Sequence, residues 1–130
     1  MKISLIVPCY NEQESLPIFY TEVMKVLADV QCEYELILVN DGSKDNTLSI
    51  MKELAQKNAN VTYISFSRNF GKEAAMYAGF CNARADYVAV MDADMQDPPS
   101  LLPEMLEILS TGEYDSVATR RVSRDGEPPI

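Results

Sequence analysis

Apolar and polar residues are distributed along this chain in two alternating patterns, short continuous apolar runs and longer stretches of helical periodicity. Ile3 to Cys9 is apolar and closed by Pro8, which predicts a first buried strand, and Tyr10-Asn11-Glu12-Gln13-Glu14 then forms a polar turn. Leu16, Phe19, Tyr20, Val23, Val26 and Leu27 recur at helical spacing and predict an amphipathic helix to about Ala28, with Pro17 tolerable in its first turn. Tyr34 to Asn40 repeats the strand signal. Asp41 to Asn46 supplies turn chemistry before a helix carrying Leu48, Met51, Leu54 and Ala55, with Asp45 or Asn46 as its N-cap. Val61 to Ser67 reads as a third strand, and the loop Arg68-Asn69-Phe70-Gly71 leads into an alanine-rich helix from about Lys72 to Arg84. Tyr87 to Met91 is the fourth strand. After it, Asp97 as cap and Pro98 as first helical residue predict a helix containing Leu102, Met105, Leu106 and Leu109, and Asp115 to Thr119 a short fifth strand.

Strands alternating with helices at this length imply βαβ units, and so an α/β, doubly wound domain whose mostly parallel sheet is covered on both faces. With 130 residues and 47% apolar content, one soluble domain with one core is expected. The formal net charge of −9 argues against a nucleic-acid or anionic-membrane surface, although a metal would still let an acidic protein hold a polyanion locally. Cys9, Cys32 and Cys81 are odd in number and outside any paired ligand motif. They read as reduced thiols in a cytoplasmic setting, serving as small core fillers. The apolar run at the N-terminus is too short for a signal peptide or a spanning helix. From Ser123 the chain turns polar and proline-rich and stops, as if cut.

In an open parallel sheet, ligands bind beyond the carboxyl ends of the strands, where strand order reverses. Those ends carry Tyr10-Asn11-Glu12, then Asn40-Asp41-Gly42-Ser43, then Arg68-Asn69-Phe70-Gly71-Lys72, and finally Asp92-Ala93-Asp94-Met95-Gln96. Asp92, Asp94 and Gln96 stand at alternating positions, so an extended backbone turns all three oxygen-bearing side chains to one side. At an effective dielectric near 20, two carboxylates roughly 6 Å apart repel by about 3 kcal/mol, and a divalent cation converts that repulsion into attraction. Such a donor set suits Mg2+ or Mn2+; it is equally the composition of a solvated turn. Asp41 reads as part of a tight turn, or as an acceptor for a ribose hydroxyl or a base N–H. Glu12 reads as favourable with a helix dipole, or as a ligand contact. Lys72 and Arg68 read as phosphate partners or as ordinary surface cations, and Arg120, Arg121 and Arg124 as phosphate contacts or a solvated tail.

Taken together and in order, Val7-Pro8-Cys9-Tyr10-Asn11-Glu12, Asn40-Asp41-Gly42-Ser43-Lys44-Asp45-Asn46-Thr47, Arg68-Asn69-Phe70-Gly71-Lys72 and Asp92-Ala93-Asp94-Met95-Gln96-Asp97-Pro98-Pro99 resemble the family 2 glycosyltransferases. The likeness is greatest to the branch that moves a sugar from a nucleotide donor to a polyprenyl phosphate, the dolichol-phosphate mannose synthase and bactoprenol glucosyltransferase group. The resemblance implies a GT-A fold, a Rossmann-like three-layer α/β/α arrangement. Residues 1–122 would form its nucleotide-sugar-binding core, and 123–130 a polar tail or the start of an acceptor region.

On the same resemblance, Pro8, Tyr10 and Glu12 line the nucleotide pocket, Asp41 contacts the uridine or guanosine part, and Asn11, Lys72, Asp92 and Ala93 complete the nucleotide-binding set. Asp92, Asp94 and Gln96 are the implied metal ligands for Mg2+ or Mn2+. Asp94 and Arg120 are the implied catalytic residues, Arg120 approaching an acceptor or donor phosphate. The implied partners are a nucleotide sugar, UDP-linked in preference to GDP-mannose, and a lipid-phosphate acceptor. Family members continue well past this length, so this chain is expected to be an N-terminal donor-binding portion, with membrane contact only through the rest of the protein, at the cytoplasmic face.

A lipid phosphate is largely dianionic at neutral pH, because its second pKa is near 6. It needs no protein base to attack an anomeric carbon, and direct displacement inverts that centre. The chain contains no histidine. Two other classes remain as alternatives, a donor-binding piece without transfer and a phosphoacceptor receiver-like domain. The latter needs acids directly after the first strand, where this chain has Pro8-Cys9-Tyr10-Asn11. A glycine-rich nucleotide loop is missing from that position too.

Overall fold

The computed structural model describes residues 2–96 and 98–110, and of Leu109 the backbone alone. The chain divides into two compact units, Met1–Ser100 and Leu101–Ile130.

In the first unit, β1 (Lys2–Cys9), β2 (Glu33–Asn40), β3 (Val61–Ser65) and β4 (Tyr87–Val90) form one sheet in the order β3-β2-β1-β4, with every pairing parallel. The intervening helices are α1 (Ser15–Val30), α2 (Thr47–Lys57) and α3 (Lys72–Asn82). The first two crossovers step from β1 out to β3, and the third steps back past β2 and β1 to β4. Right-handed crossovers therefore place α1 and α2 on one face and α3 on the other.

Side chains agree with that placement. On the α3 face, Ala75 packs with Ile6, Ile37 and Val39, whose register pairs Ile6 with Ile37 and Pro8 with Val39. On the other face, the Asn58 amide at the end of α2 donates to Tyr20 on α1 at 3.0 Å and to Tyr34 on β2 at 2.9 Å. β1, flanked by strands and covered on both faces, is buried almost throughout, which accounts for its continuous rather than alternating apolar run. Gly79 lets α3 approach the sheet closely: a Cβ there would lie 2.3 Å from Ile6 Cγ2.

Proline inside a central strand normally costs a ladder bond. The Ile6 carbonyl accepts from Met91 N–H on the β4 side at 2.9 Å, and by the alternation of strand groups the nitrogen of Pro8 faces the same side. The last β1–β4 pair is Ile6 with Val90, two residues earlier. The missing N–H therefore falls where β1 and β4 have parted. At the opposite end of the sheet, fully buried Ser4 donates to Glu35, whose carboxylate also accepts from Arg84 N–H at 2.6 Å, while Ser4 Oγ accepts from Ala85 N–H at 3.1 Å.

In the second unit, α4 (Leu102–Ser110) is an amphipathic helix with Leu102 and Leu106 buried. It begins later than the sequence pattern predicts. Pro98 is not its first residue; a 3-10 turn, Pro99–Leu101, comes first. Asp97, and the predicted strand Asp115 to Thr119, lie outside the described residues, as does the proposed boundary at 122. Of the cysteines expected as core fillers, Cys9 is buried, whereas Cys32 is half-buried and Cys81 is exposed at the last turn of α3.

Candidate functional site

Strand order reverses between β1 and β4, because the chain leaves β1 toward β2 and returns to its other side. Past Val90 the two strands separate, and a cleft of about 250 Å³ opens at their carboxyl ends. Pro8, Cys9, Tyr10, Glu12, Asp41, Lys72, Asp92, Ala93, Asp94 and Gln96 line it, so three strand ends and the start of α3 converge on one place. Of the described residues expected at the site, all but Asn11 and Arg68 meet there. Arg120 lies outside the described residues.

The Asp92–Gln96 segment is not extended as expected. Met95 N–H donates to the Asp92 carbonyl at 3.2 Å, Met95 adopts the left-handed φ of 61°, and the chain turns back through Ala93 and Asp94. Asp94 and Gln96 still reach the cleft with Asp92, because a tight turn also gathers residues two apart. Asp94 Oδ1 accepts from Gln96 N–H at 3.2 Å, an Asx-type contact that shapes the loop. Ala93 is almost wholly buried beneath it.

Asn11 has a different task. Its carboxamide oxygen accepts from Lys44 N–H at 2.8 Å, and its own N–H donates to Ser43 Oγ at 2.9 Å. Glu12 N–H donates to Thr47 Oγ1 at 2.8 Å, and Asp45 accepts from Gln13 N–H at 3.2 Å and from Thr47 N–H at 2.9 Å. The loop after β1 is thus stapled to the loop after β2, which holds Tyr10 and Glu12 at the cleft. Asp45, rather than Asn46, supplies the hydrogen bond at the start of α2.

Asp41 sits 4% exposed on the cleft floor. Its carboxylate accepts from Phe70 N–H at 2.8 Å, Gly71 N–H at 3.1 Å and Asn69 Nδ2 at 3.2 Å. A carboxylate on these amides cap-bonds the start of α3 and fixes the loop that presents Lys72. Gly42, at φ +70°, packs directly against that loop: a Cβ there would come within 2.2 Å of the Arg68 carbonyl carbon. Asn69 was not singled out by its sequence context, because only its spatial position below Asp41 gives it a role. Arg68 lies over the Phe70 ring, 4.6 Å from its centroid, and is not among the lining residues.

The cleft is acidic, with Glu12, Asp41, Asp92 and Asp94 in its wall, and among the described residues lining it Lys72 is the only cation. Lys72 Nζ stands 2.7 Å from Asp92 Oδ1. Cys9 reports the same field: burial first, and then the Glu12 and Asp92 charges, push its thiol far up, so it stays protonated and unreactive as a nucleophile. Among the described residues, no three His, Cys, Asp or Glu side chains form a metal-holding group. The available set is two carboxylates and an amide oxygen, which suits a hard cation that takes its remaining ligands from water and phosphate.

Solved structures share this fold. A mannosyltransferase from Pyrobaculum calidifontis, determined with GDP-Man and Mn2+, matches 83% of this chain and 32% of its own with a TM-score of 0.72 at 22% identity, a likeness of fold. The S. aureus protein TarS, residues 1–349, matches 99% of this chain and 39% of its own at 25% identity with a TM-score of 0.71. Its complex with UDP-GlcNAc matches 85% and 32% at 26% identity, with a TM-score of 0.62. The fold is therefore the GT-A α/β fold of glycosyltransferases.

The chain also matches the profile of Glycosyl transferase family 2 over residues 4–129, and it belongs to that family. Among similar sequences are an Escherichia coli K12 prophage bactoprenol glucosyl transferase homolog, 44% identical over 95% of this chain and 40% of its own, and a Pseudomonas fluorescens undecaprenyl-phosphate 4-deoxy-4-formamido-L-arabinose transferase, 42% identical over 94% and 36%. This chain spans about two fifths of the length of such relatives.

Proposed function

We propose that this chain is the donor-binding part of a transferase that moves a sugar from a nucleotide diphosphate to a polyprenyl phosphate, with inversion at the anomeric carbon. The observation that carries the proposal is the switch-point cleft in which Asp92, Asp94 and Gln96 present oxygen donors beside Asp41, Tyr10 and Glu12. Relatives at 42–44% identity are named for bactoprenol or undecaprenyl phosphate, which supports the acceptor class. UDP is the favoured nucleotide, since TarS, 26% identical, was solved with UDP and with UDP-GlcNAc. GDP-mannose has only a likeness of fold behind it.

Asp92, Asp94 and Gln96 would hold Mg2+ or Mn2+, and when bound the cation supplies Lewis-acid charge for the leaving diphosphate. The chain's own residues do the rest. Tyr10, 42% exposed at the cleft, offers a ring to the base, and Pro8 and Ala93 shape the wall beside it. Asp41 holds the α3 entry in place and presents its carboxylate from the floor to a ribose hydroxyl or base N–H. Lys72 meets phosphate charge. The attacking group is the acceptor's own phosphate dianion, so no protein base is required. No helix among the described residues is long and apolar enough to cross a membrane. The partial span favours a second reading for the isolated chain, donor binding without transfer.

Titration calorimetry tests the proposal. UDP should bind in the presence of Mn2+ and lose at least tenfold in affinity when chelator removes the metal, a change of about 1.4 kcal/mol. Asp94→Ala should reproduce the chelator result with Mn2+ present. Binding of UDP that ignores both metal and Asp94 would overturn the assignment.

A further inference from the structure

Lys72 occupies an electrostatically awkward position. It is the first residue of α3, at the positive end of the helix dipole, where a cation is disfavoured and an anion welcome. The backbone beneath it is nonetheless rigidly held, by the Asp41 carboxylate on Phe70 N–H, Gly71 N–H and Asn69 and by Gly71 in a conformation with φ 104°. The stem and ammonium head face water, for the side chain is 58% exposed. Its head rests 2.7 Å from Asp92 Oδ1, on a carboxylate that is only 26% exposed and belongs to the metal-ligand set.

We propose that Lys72 is a resident countercation, occupying Asp92 until a metal and a nucleotide diphosphate arrive together and then transferring its charge to the diphosphate. The inference rests on the donor-site reading above. Its physical basis is the charge balance of the cleft. Four carboxylates face one lysine there, so the ammonium offsets the repulsion that Asp92 feels from Asp94 and Glu12. A divalent cation approaching alone must displace that ammonium from Asp92 and then sit beside it, like charge against like charge. A cation approaching with a diphosphate meets no such penalty, because the phosphate oxygens accept the displaced ammonium. A partly exposed ion pair is weak and easily exchanged, which such a device needs. The consequence is positive coupling: metal and nucleotide each tighten the other, and metal alone binds poorly.

The test uses this chain with Lys72→Met and Lys72→Arg, and reads Mn2+ binding by the loss of the free-ion electron paramagnetic signal, with UDP absent or saturating. For Lys72→Met, Mn2+ alone should bind on the order of tenfold tighter than in the native protein, since one adjacent positive charge is gone. UDP binding in Mn2+ should weaken, and the factor by which UDP tightens Mn2+ should fall. Lys72→Arg keeps the charge and should keep weak binding of Mn2+ alone. If Lys72→Met loses UDP affinity with Mn2+ binding unchanged, the lysine is a phosphate contact only and the countercation role is wrong. Equal Mn2+ affinity and equal coupling in all three proteins overturns it as well. Failure of the donor-site reading looks different: the native protein would then show no UDP binding in Mn2+, whatever residue 72 is.

Discussion

At the scale of single residues, Asp41 shows how a side chain acquires a role that its neighbours in sequence do not suggest. Asn40-Asp41-Gly42-Ser43 has the composition of a tight turn, and the turn exists, with Gly42 at φ +70°. The carboxylate, however, reaches some thirty positions ahead to bond Phe70 and Gly71. Asp41→Ala removes the acceptor of those two N–H groups in a partly buried setting, a loss of about 1 kcal/mol. Asp41→Asn keeps one acceptor oxygen and should lose less. Urea unfolding of the two variants measures the difference, and equal stabilities would show that the loop is held by something else. Asp92, Asp94 and Gln96 were legible from residue type and spacing, but not the backbone that gathers them. Met95 takes a left-handed conformation that its own chemistry does not favour, and the surrounding turn imposes it.

At the scale of elements, α3 carries the tightest constraint. Its sequence, rich in alanine with Gly79 near the centre, marks a helix, and the fold explains the glycine by its distance to β1. An alanine at that position would gain about 1 kcal/mol of helix propensity. Its Cβ would also meet three atoms of Ile6, at 2.3, 3.0 and 3.1 Å, on a side chain with no exposed surface in which to move. Such overpacking costs about 1–3 kcal/mol. Gly79→Ala is therefore expected to lower the unfolding midpoint despite its better propensity, and a raised midpoint would mean that α3 rides further from the sheet than the structure shows. Strands and helices of the first unit were readable from apolar periodicity, to within a few residues at each end. The start of α4 was not, because a 3-10 turn over Pro99–Leu101 comes before the helix, which begins at Leu102.

At the scale of the whole molecule, two carboxylates hold distant segments together and give the fold a defined sensitivity to acid. Glu35 is held below its ordinary value although burial acts to raise it; hydrogen bonds from Ser4 and Arg84 N–H, with the Lys2 and Arg84 charges, outweigh burial. Asp45 is likewise held low against burial by Thr47, through its hydroxyl and N–H, and by Gln13 N–H. For a lowered carboxyl pKa the sign is fixed. Their contribution is complete above the unfolded values of about 3.9 for Asp and 4.3 for Glu, and is lost as pH falls through the lower folded values. Urea midpoints should thus be level from pH 7 to about 5 and decline below about pH 4. The decline should be shallower in an Asp45→Asn, Glu35→Gln double variant. An identical slope in that variant would place the acid sensitivity elsewhere among the 20 acidic residues.

The sequence by itself determined the α/β class, the order of strands and helices, and the residue types available at each strand end. All of these follow from local periodicity and from the rule that charged groups leave the core at a strand's tip. The position of the cleft was legible too, since it depends on topology alone. Only the tertiary structure decided which polar residues face that cleft and which build its walls. Asn11 and Asp45 staple two loops, and Lys72 bonds Asp92 from another element. The physical reason is range. Backbone preference acts over a few residues, while these hydrogen bonds and ion pairs join positions 20 to 30 or more apart in the chain, which come together only once the sheet has formed.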